Sequence, residues 1–285
     1  MQRLGRMGGR RIEAIMSTAT ELETLFPDSD YKFHVGVQRS DAKAFFAQQD
    51  ASGRVLGERA RWSNGDDAHR YVALRDENRP VFDEFCTLMR GWGMRAPRDI
   101  HALATQLEPD VLFLAPDSEG TLRLRGGALV FPTGWALEEK LGHPLAAIHA
   151  PVPGLNPSIG AQIDRMLPRL APGPAWCRSN WGLAATDELN MHPSRGLPAP
   201  ALPVRPDRLW LRVERQTLLA MPASHGLVFG IRIALFRMDE VMRSGANVRK
   251  GLARALRSIS PELARYKRID KVRLELAAML ENEQT

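Results

Sequence analysis

Leu209 to Leu218 (LWLRVERQTL) and Leu227 to Phe236 (LVFGIRIALF) decide the fold. Both runs are rich in β-branched, aromatic and other apolar residues. They are separated by Met221 to Gly226 (MPASHG), a composition that favours a loop between antiparallel neighbours. In a strand, alternate side chains share a face, so Arg212, Glu214 and Gln216 project together while Val213, Arg215 and Thr217 project the other way. If the face bearing Glu214 points inward, a buried polar cluster must be paired or bound to something, and a pocket results. If it points outward, the charges pair across a solvated strand at little energy. The pattern leaves both open.

Working outward, Val111 to Leu114 and Thr121 to Phe131 read as a second hairpin around the turn-forming Pro116 to Gly120. Val81 to Trp92, behind Pro80, and Ile100 to Gln106 have helical spacing, as do Ser158 to Leu170, Val248 to Ser258 and Pro261 to Glu281. Ala136 to Leu141 suits one or two helical turns. Pro144 to Pro157 contains four prolines and is expected not to form a regular helix. Asp187 to Pro206, with five prolines, is expected to be a long irregular surface loop or lid. The mixture predicts an α+β fold, an antiparallel sheet with helices packed around it. At 285 residues, 44% hydrophobic and 25% charged, the chain can bury one large core. The expected division is a basic leader over 1–30, one domain over 31–270 and a helix end or tail over 271–285.

Composition also excludes. No run of about 18 uninterrupted apolar residues occurs, so no membrane span is expected. The arginines of Met1 to Arg11 precede no apolar core of the kind a secretory signal needs. The two cysteines, Cys86 and Cys177, lack metal-ligand spacing, which fits a reducing cytoplasm. The net charge of +6 comes without a nucleic-acid-binding motif, so nucleic acid is not the expected partner. The nucleophile-elbow, phosphate-loop and zinc-helix motifs are absent.

Two further stretches can carry chemistry. In Phe131 to Pro153 (FPTGWALEEKLGHPLAAIHAPVP), His149 lies between an apolar run and two prolines. A stiffened backbone presents one side chain with little freedom, so His149 can ligate iron through one ring nitrogen; a buried structural histidine is the alternative. His143, beside Gly142 and Pro144, reads as an exposed turn residue. Arg178-Ser179-Asn180-Trp181 sets a forked donor, an amide and a flat indole side by side, able to hold a carboxylate or cap a planar cofactor. Equally, Trp181 can pack in the core and Arg178 pair locally.

Taken in order, FPTGW (Phe131 to Trp135), EK-LG-PLAAIHAPVPG (Glu139 to Gly154), R-NW (Arg178, Asn180, Trp181), LRVERQTL with the following MP, and YK (Tyr266, Lys267) resemble the haem-dependent oxidative N-demethylases. The resemblance implies a PAS-like sheet with b-type haem in its pocket. It implies a monooxygenase-type reaction in which a small secondary or tertiary alkylamine, dimethylamine being the type case, is oxidised with dioxygen to formaldehyde and the shorter amine. Electrons are implied to come from NADPH through a separate flavin and iron–sulfur reductase subunit, with tetrahydrofolate open as formaldehyde acceptor. On the same basis His149 is the axial ligand, Arg178, Arg212 and Arg215 are candidates for the haem propionates, Glu214 for the amine or a proton, and Trp181 for the pocket wall. A regular strand sets Arg212 and Arg215 on opposite faces, so both cannot serve. Two other readings compete: a haem-based PAS-like sensor, and a small-ligand binding protein without turnover.

Overall fold

The computed structural model describes residues 20–282. β1 (Gln38–Ser40), β2 (Val72–Leu74), β3 (Asp110–Pro116), β4 (Leu122–Ala128), β5 (Ala175–Ala184), β6 (Trp210–Met221) and β7 (Gly226–Arg237) form one sheet in the order β1-β5-β6-β7-β3-β4-β2. Every neighbouring pair is antiparallel. The helices are α1 (Ala42–Phe46), α2 (Arg54–Ser63), α3 (Arg79–Gly91), α4 (Ile100–Gln106), α5 (Leu137–Lys140), α6 (Leu145–His149), α7 (Ala161–Met166), α8 (Met238–Met242), α9 (Ala246–Ser258), α10 (Pro261–Tyr266) and α11 (Arg273–Asn282). The α+β architecture expected from the alternating and helical patterns is the one observed. Among the described residues no helix is long and apolar enough to cross a membrane.

The β6–β7 hairpin is the spine of the sheet, in register from Trp210↔Arg237 to Met221↔Gly226. Glycine is required at its turn end: a Cβ on Gly226 would lie 2.4 Å from Val81 of α3 and 2.8 Å from the Leu114 carbonyl. Alternation divides the hairpin's side chains between two faces. On one face, Leu183, Leu211 and Val213 join α8 to α11 in a single apolar cluster. Further along that face, Leu219, Val228, Val111 and Phe113 pack on α3 and α4. This side is closed by core. The other face, covered by the segment between β4 and β5 that carries α5, α6 and α7, is where the polar residues of β5 and β6 lie.

Of the leader expected over 1–30, residues 1–19 lie outside the described residues. Residues 20–25 are helical, and Leu22 and Phe26 are buried in the same cluster as α9 and α11. The approach is so close that a Cβ on Gly251 would sit 1.9 Å from the Phe26 carbonyl oxygen. Leu276 and Leu280 of α11 are in that cluster too, so the core runs past residue 270; residues 283–285 lie outside the described residues. Pro144 to Pro157 holds more helix than its prolines suggested. Pro144 serves as the cap of α6, whose five residues end before Pro151, and Asn156–Gly160 forms a π-turn.

A buried ionic network ties the helices to β3. Asp110 is 1% exposed and accepts from Val130 N at 2.6 Å, Phe131 N at 3.0 Å and Arg59 Nη1 at 2.6 Å. Arg59 also donates to the carbonyls of Ala104 and Glu108. Glu108 in turn accepts from Arg232 Nη1 and from the backbone of Gln49 and Asp50. Removing one partner strands the other charge. Asp110→Ala is therefore expected to cost about 3–5 kcal/mol in urea unfolding; a loss below about 1 kcal/mol would show that water or rearrangement replaces the carboxylate.

Candidate functional site

The site grows from the register of β5 on β6. Arg178 pairs with Gln216, Asn180 with Glu214 and Gly182 with Arg212. Their side chains therefore share the face under α5 to α7, and Glu214, 8% exposed, is held there. Glu214 Oε2 accepts from Gln216 Nε2 at 2.9 Å and Asn180 Nδ2 at 3.3 Å. Around these groups the apolar side chains of Trp135, Ile148, Met166, Trp176, Leu218 and Phe229 are only partly buried, though helices lie over them. Half-buried apolar side chains lining a buried polar strip make this face the candidate ligand pocket.

Arg178 is its most telling member. Among the described residues its side chain makes no hydrogen bond or ion pair, and its Nε is buried without a partner. Burial pulls its pKa down, with Tyr31 and Glu214 opposing. Two residues earlier on the same face, the indole N–H of Trp176 is also buried and unpaired. Unpaired buried donors are rare because each forfeits its hydration, so two on one strand face call for an acceptor.

His149 ends α6 across the pocket, half-buried, and its ring makes no hydrogen bond with any described residue. Burial, with a contribution from the Arg178 charge, holds its pKa below the ordinary value of 6.5. The imidazole is therefore neutral at neutral pH, with a lone pair to donate. Among the described residues no group of three or more His, Cys, Asp or Glu is placed to hold a bare metal ion. A porphyrin iron asks the protein for one axial nitrogen, donors for its propionates and apolar walls for its ring. His149, Arg178 with Trp176, and the half-buried walls fit that request.

The remaining candidates go elsewhere. Arg212 shares the face of Glu214 but is 1% exposed and already spent. Nη2 donates to the carbonyls of Phe131 and Leu189 at 2.9 and 2.8 Å, Nε to Thr133 Oγ1 at 2.9 Å and Nη1 to Glu188 O at 3.2 Å. It pins the FPTGW segment to the loop following β5. Burial still lowers its pKa to about 10. Arg215 lies on the other face and forms a forked pair with Glu21 at 2.6 and 2.5 Å. Trp181 also faces the helical core, 6% exposed and edge-on to Phe26 and Tyr31. His143 is exposed, as its turn setting suggested.

The loop expected over 187–206 is irregular but tied down. Buried His192 contacts Glu138 at 3.2 Å, and Arg195 pairs with Glu188 at 3.0 Å. Three residues at the site escaped sequence reasoning as site residues. Trp176 lay upstream of the R-NW block, and Tyr31 opened the expected domain without a motif around it. Lys267 stood in the YK block but was given no role; its Nζ donates to Trp181 O at 2.6 Å and reaches Asn180 Oδ1 at 3.5 Å.

These roles separate in stability measurements made without any ligand. Arg212→Met strands five backbone and side-chain acceptors and is expected to lower the unfolding free energy by about 3 kcal/mol or more. Arg178→Met removes an unpaired buried cation and is expected to raise it, by about 1 kcal/mol. Equal losses in both variants would contradict the assignment.

One comparison bears on the whole arrangement. The family model for "haem-dependent oxidative N-demethylase, alpha subunit-like" matches residues 77–277, a span that runs from the start of α3 into α11 and includes His149, Arg178 and Glu214. With most of its length matched and a pocket whose donors suit a haem, the chain belongs to the haem-dependent oxidative N-demethylase alpha-subunit-like family.

Proposed function

We propose that this chain is the haem-carrying subunit of an oxidative N-demethylase acting on a small secondary or tertiary alkylamine, releasing formaldehyde and the shorter amine. The observation that carries the reading is the pairing of an unbonded, neutral His149 with a half-buried Arg178 whose buried Nε has no partner. Bound there, b-type haem would supply dioxygen activation and oxidation of a C–H bond next to nitrogen.

The protein's own residues do the rest. His149 would hold the iron through a ring nitrogen, and Arg178 and the Trp176 N–H would hold a propionate, the forked guanidinium being suited to a carboxylate. The apolar walls exclude water, so charges inside act at greater strength. Glu214 keeps one oxygen on Gln216 and Asn180. Its Oε1 accepts no hydrogen bond from any described residue, which leaves it for the N–H of an alkylammonium or for handing on a proton. The antiparallel sheet with helices over its pocket face supports the PAS-like description. A family described as alpha-subunit-like supports a partner subunit, and an NADPH-fed flavin and iron–sulfur reductase is the proposed electron source. Folate as formaldehyde acceptor would act downstream of this pocket.

Absorption spectra test the reading. Purified protein is expected to show a Soret band that His149→Ala abolishes or shifts, and dimethylamine turnover with a chemical or protein electron donor. Glu214→Gln is expected to keep the haem and raise KM for the amine about tenfold or more. Because only neutral imidazole ligates, haem is expected to be retained at neutral pH. It should be lost only at a pH below the ligand-free His149 value, itself under 6.5, because ligation favours the neutral ring further. A colourless protein, or a coloured one that binds amines without turning them over, would contradict the enzyme assignment; the latter is the behaviour of a sensor.

A further inference from the structure

Pairing with β1 ends at Gln38↔Cys177, so the later part of β5 is a sheet edge with open carbonyls. Lys267, in the turn after α10, fills one of them. Its Nζ donates to Trp181 O at 2.6 Å, stands 5.5 Å from the Trp181 ring centroid and reaches Asn180 Oδ1 at 3.5 Å. The far side of that amide continues the chain, with Asn180 Nδ2 donating to Glu214 Oε2 at 3.3 Å. An ammonium can only donate and an ionised carboxylate can only accept, so the two ends of Asn180 are not interchangeable. The lysine fixes which way the amide points.

We propose that Lys267 is a positioning residue for Glu214: through Asn180 it holds the carboxylate as a hydrogen-bond acceptor whose free oxygen faces the pocket, ready for a small alkylammonium. This rests on the demethylase reading for the identity of the ligand, though not for the chain of contacts. With Lys267 absent, nothing holds Asn180 Oδ1, and the amide can swing away from Glu214, which then keeps Gln216 alone as donor. The carboxylate is no longer fixed, and the amine loses its anchor.

The electrostatics agree with the contacts. Burial lowers the Lys267 pKa to about 8, against the attraction of Glu214 and with help from Arg178. Those two are the charged groups facing it. Tyr266, half-exposed, and Tyr31, edge-on to Trp181, flank the cluster, and burial raises both phenols. The signs are definite. Losing the Glu214 charge must lower the Lys267 midpoint further, because that charge favours the ammonium.

The test combines two measurements on the full chain. Lysine side-chain NMR, with the Lys267 resonance assigned from Lys267→Arg, is expected to give a midpoint near 8 that Glu214→Gln moves downward. An ordinary midpoint near 10.5, or one that Glu214→Gln leaves in place, overturns the proposal. In dimethylamine kinetics, Lys267→Met is expected to raise KM about tenfold with kcat within about threefold, and Lys267→Arg to restore KM. Unchanged KM in Lys267→Met overturns the proposal as well. A shifted, Glu214-dependent midpoint in a protein that carries no haem would support the positioning role and sink the demethylase reading alone. An active haem protein with an ordinary Lys267 midpoint would do the reverse.

Discussion

A half-buried guanidinium on a sheet face, with its Nε buried and unpaired, is the constraint around which the pocket is organised. Arg178 Nε is shielded from water and has no acceptor among the described residues. Leaving a charge in that condition costs folding free energy. The fold tolerates the cost because the opposite face supplies stability: the clusters under α3, α4 and α8 to α11 hold the same strands. One side of the sheet is spent on holding the molecule together. The other leaves Arg178 Nε and the Trp176 indole N–H unpaired, which is where the proposed ligand would bind.

The polar strip is kept open by the neighbours that do find partners. Arg212, beside Glu214, is fully consumed by the carbonyls of Phe131, Pro132, Glu188 and Leu189, so it sets the pocket wall and takes no ligand. His149 is kept neutral by burial and by the nearby Arg178 charge, and a neutral imidazole is the form that binds iron. The same guanidinium thus favours both an incoming carboxylate and a ligating nitrogen.

Much of this was legible in the sequence, for reasons that can be named. Alternation in LRVERQTL correctly separated the Glu214 face from the Arg215 face, because strand periodicity is local. Ile100–Gln106 follows from apolar spacing, and α3 from apolar spacing with proline and glycine at its ends. What failed depended on distant partners. Nothing local says that Arg212 would meet backbone carbonyls some 80 residues away, or that Arg215 would find Glu21. The resemblance offered Trp181 for the pocket wall and the residues alone left core packing open; next to Asn180 in a strand, it faces the other way, into the core. Leu22 and Phe26 looked like part of a basic leader because their contact, the groove at Gly251, lies at the other end of the chain.

The central claim is that Arg178 and His149 wait for the two ends of one ligand, a propionate and an iron. A crystal structure of the haem-loaded protein tests it most directly. Porphyrin is expected between α6 and the β5–β6 face, with His149 on the iron and a propionate on Arg178. Porphyrin bound elsewhere, or bound here with Arg178 still unpaired and the His149 ring turned away from the iron, would contradict it.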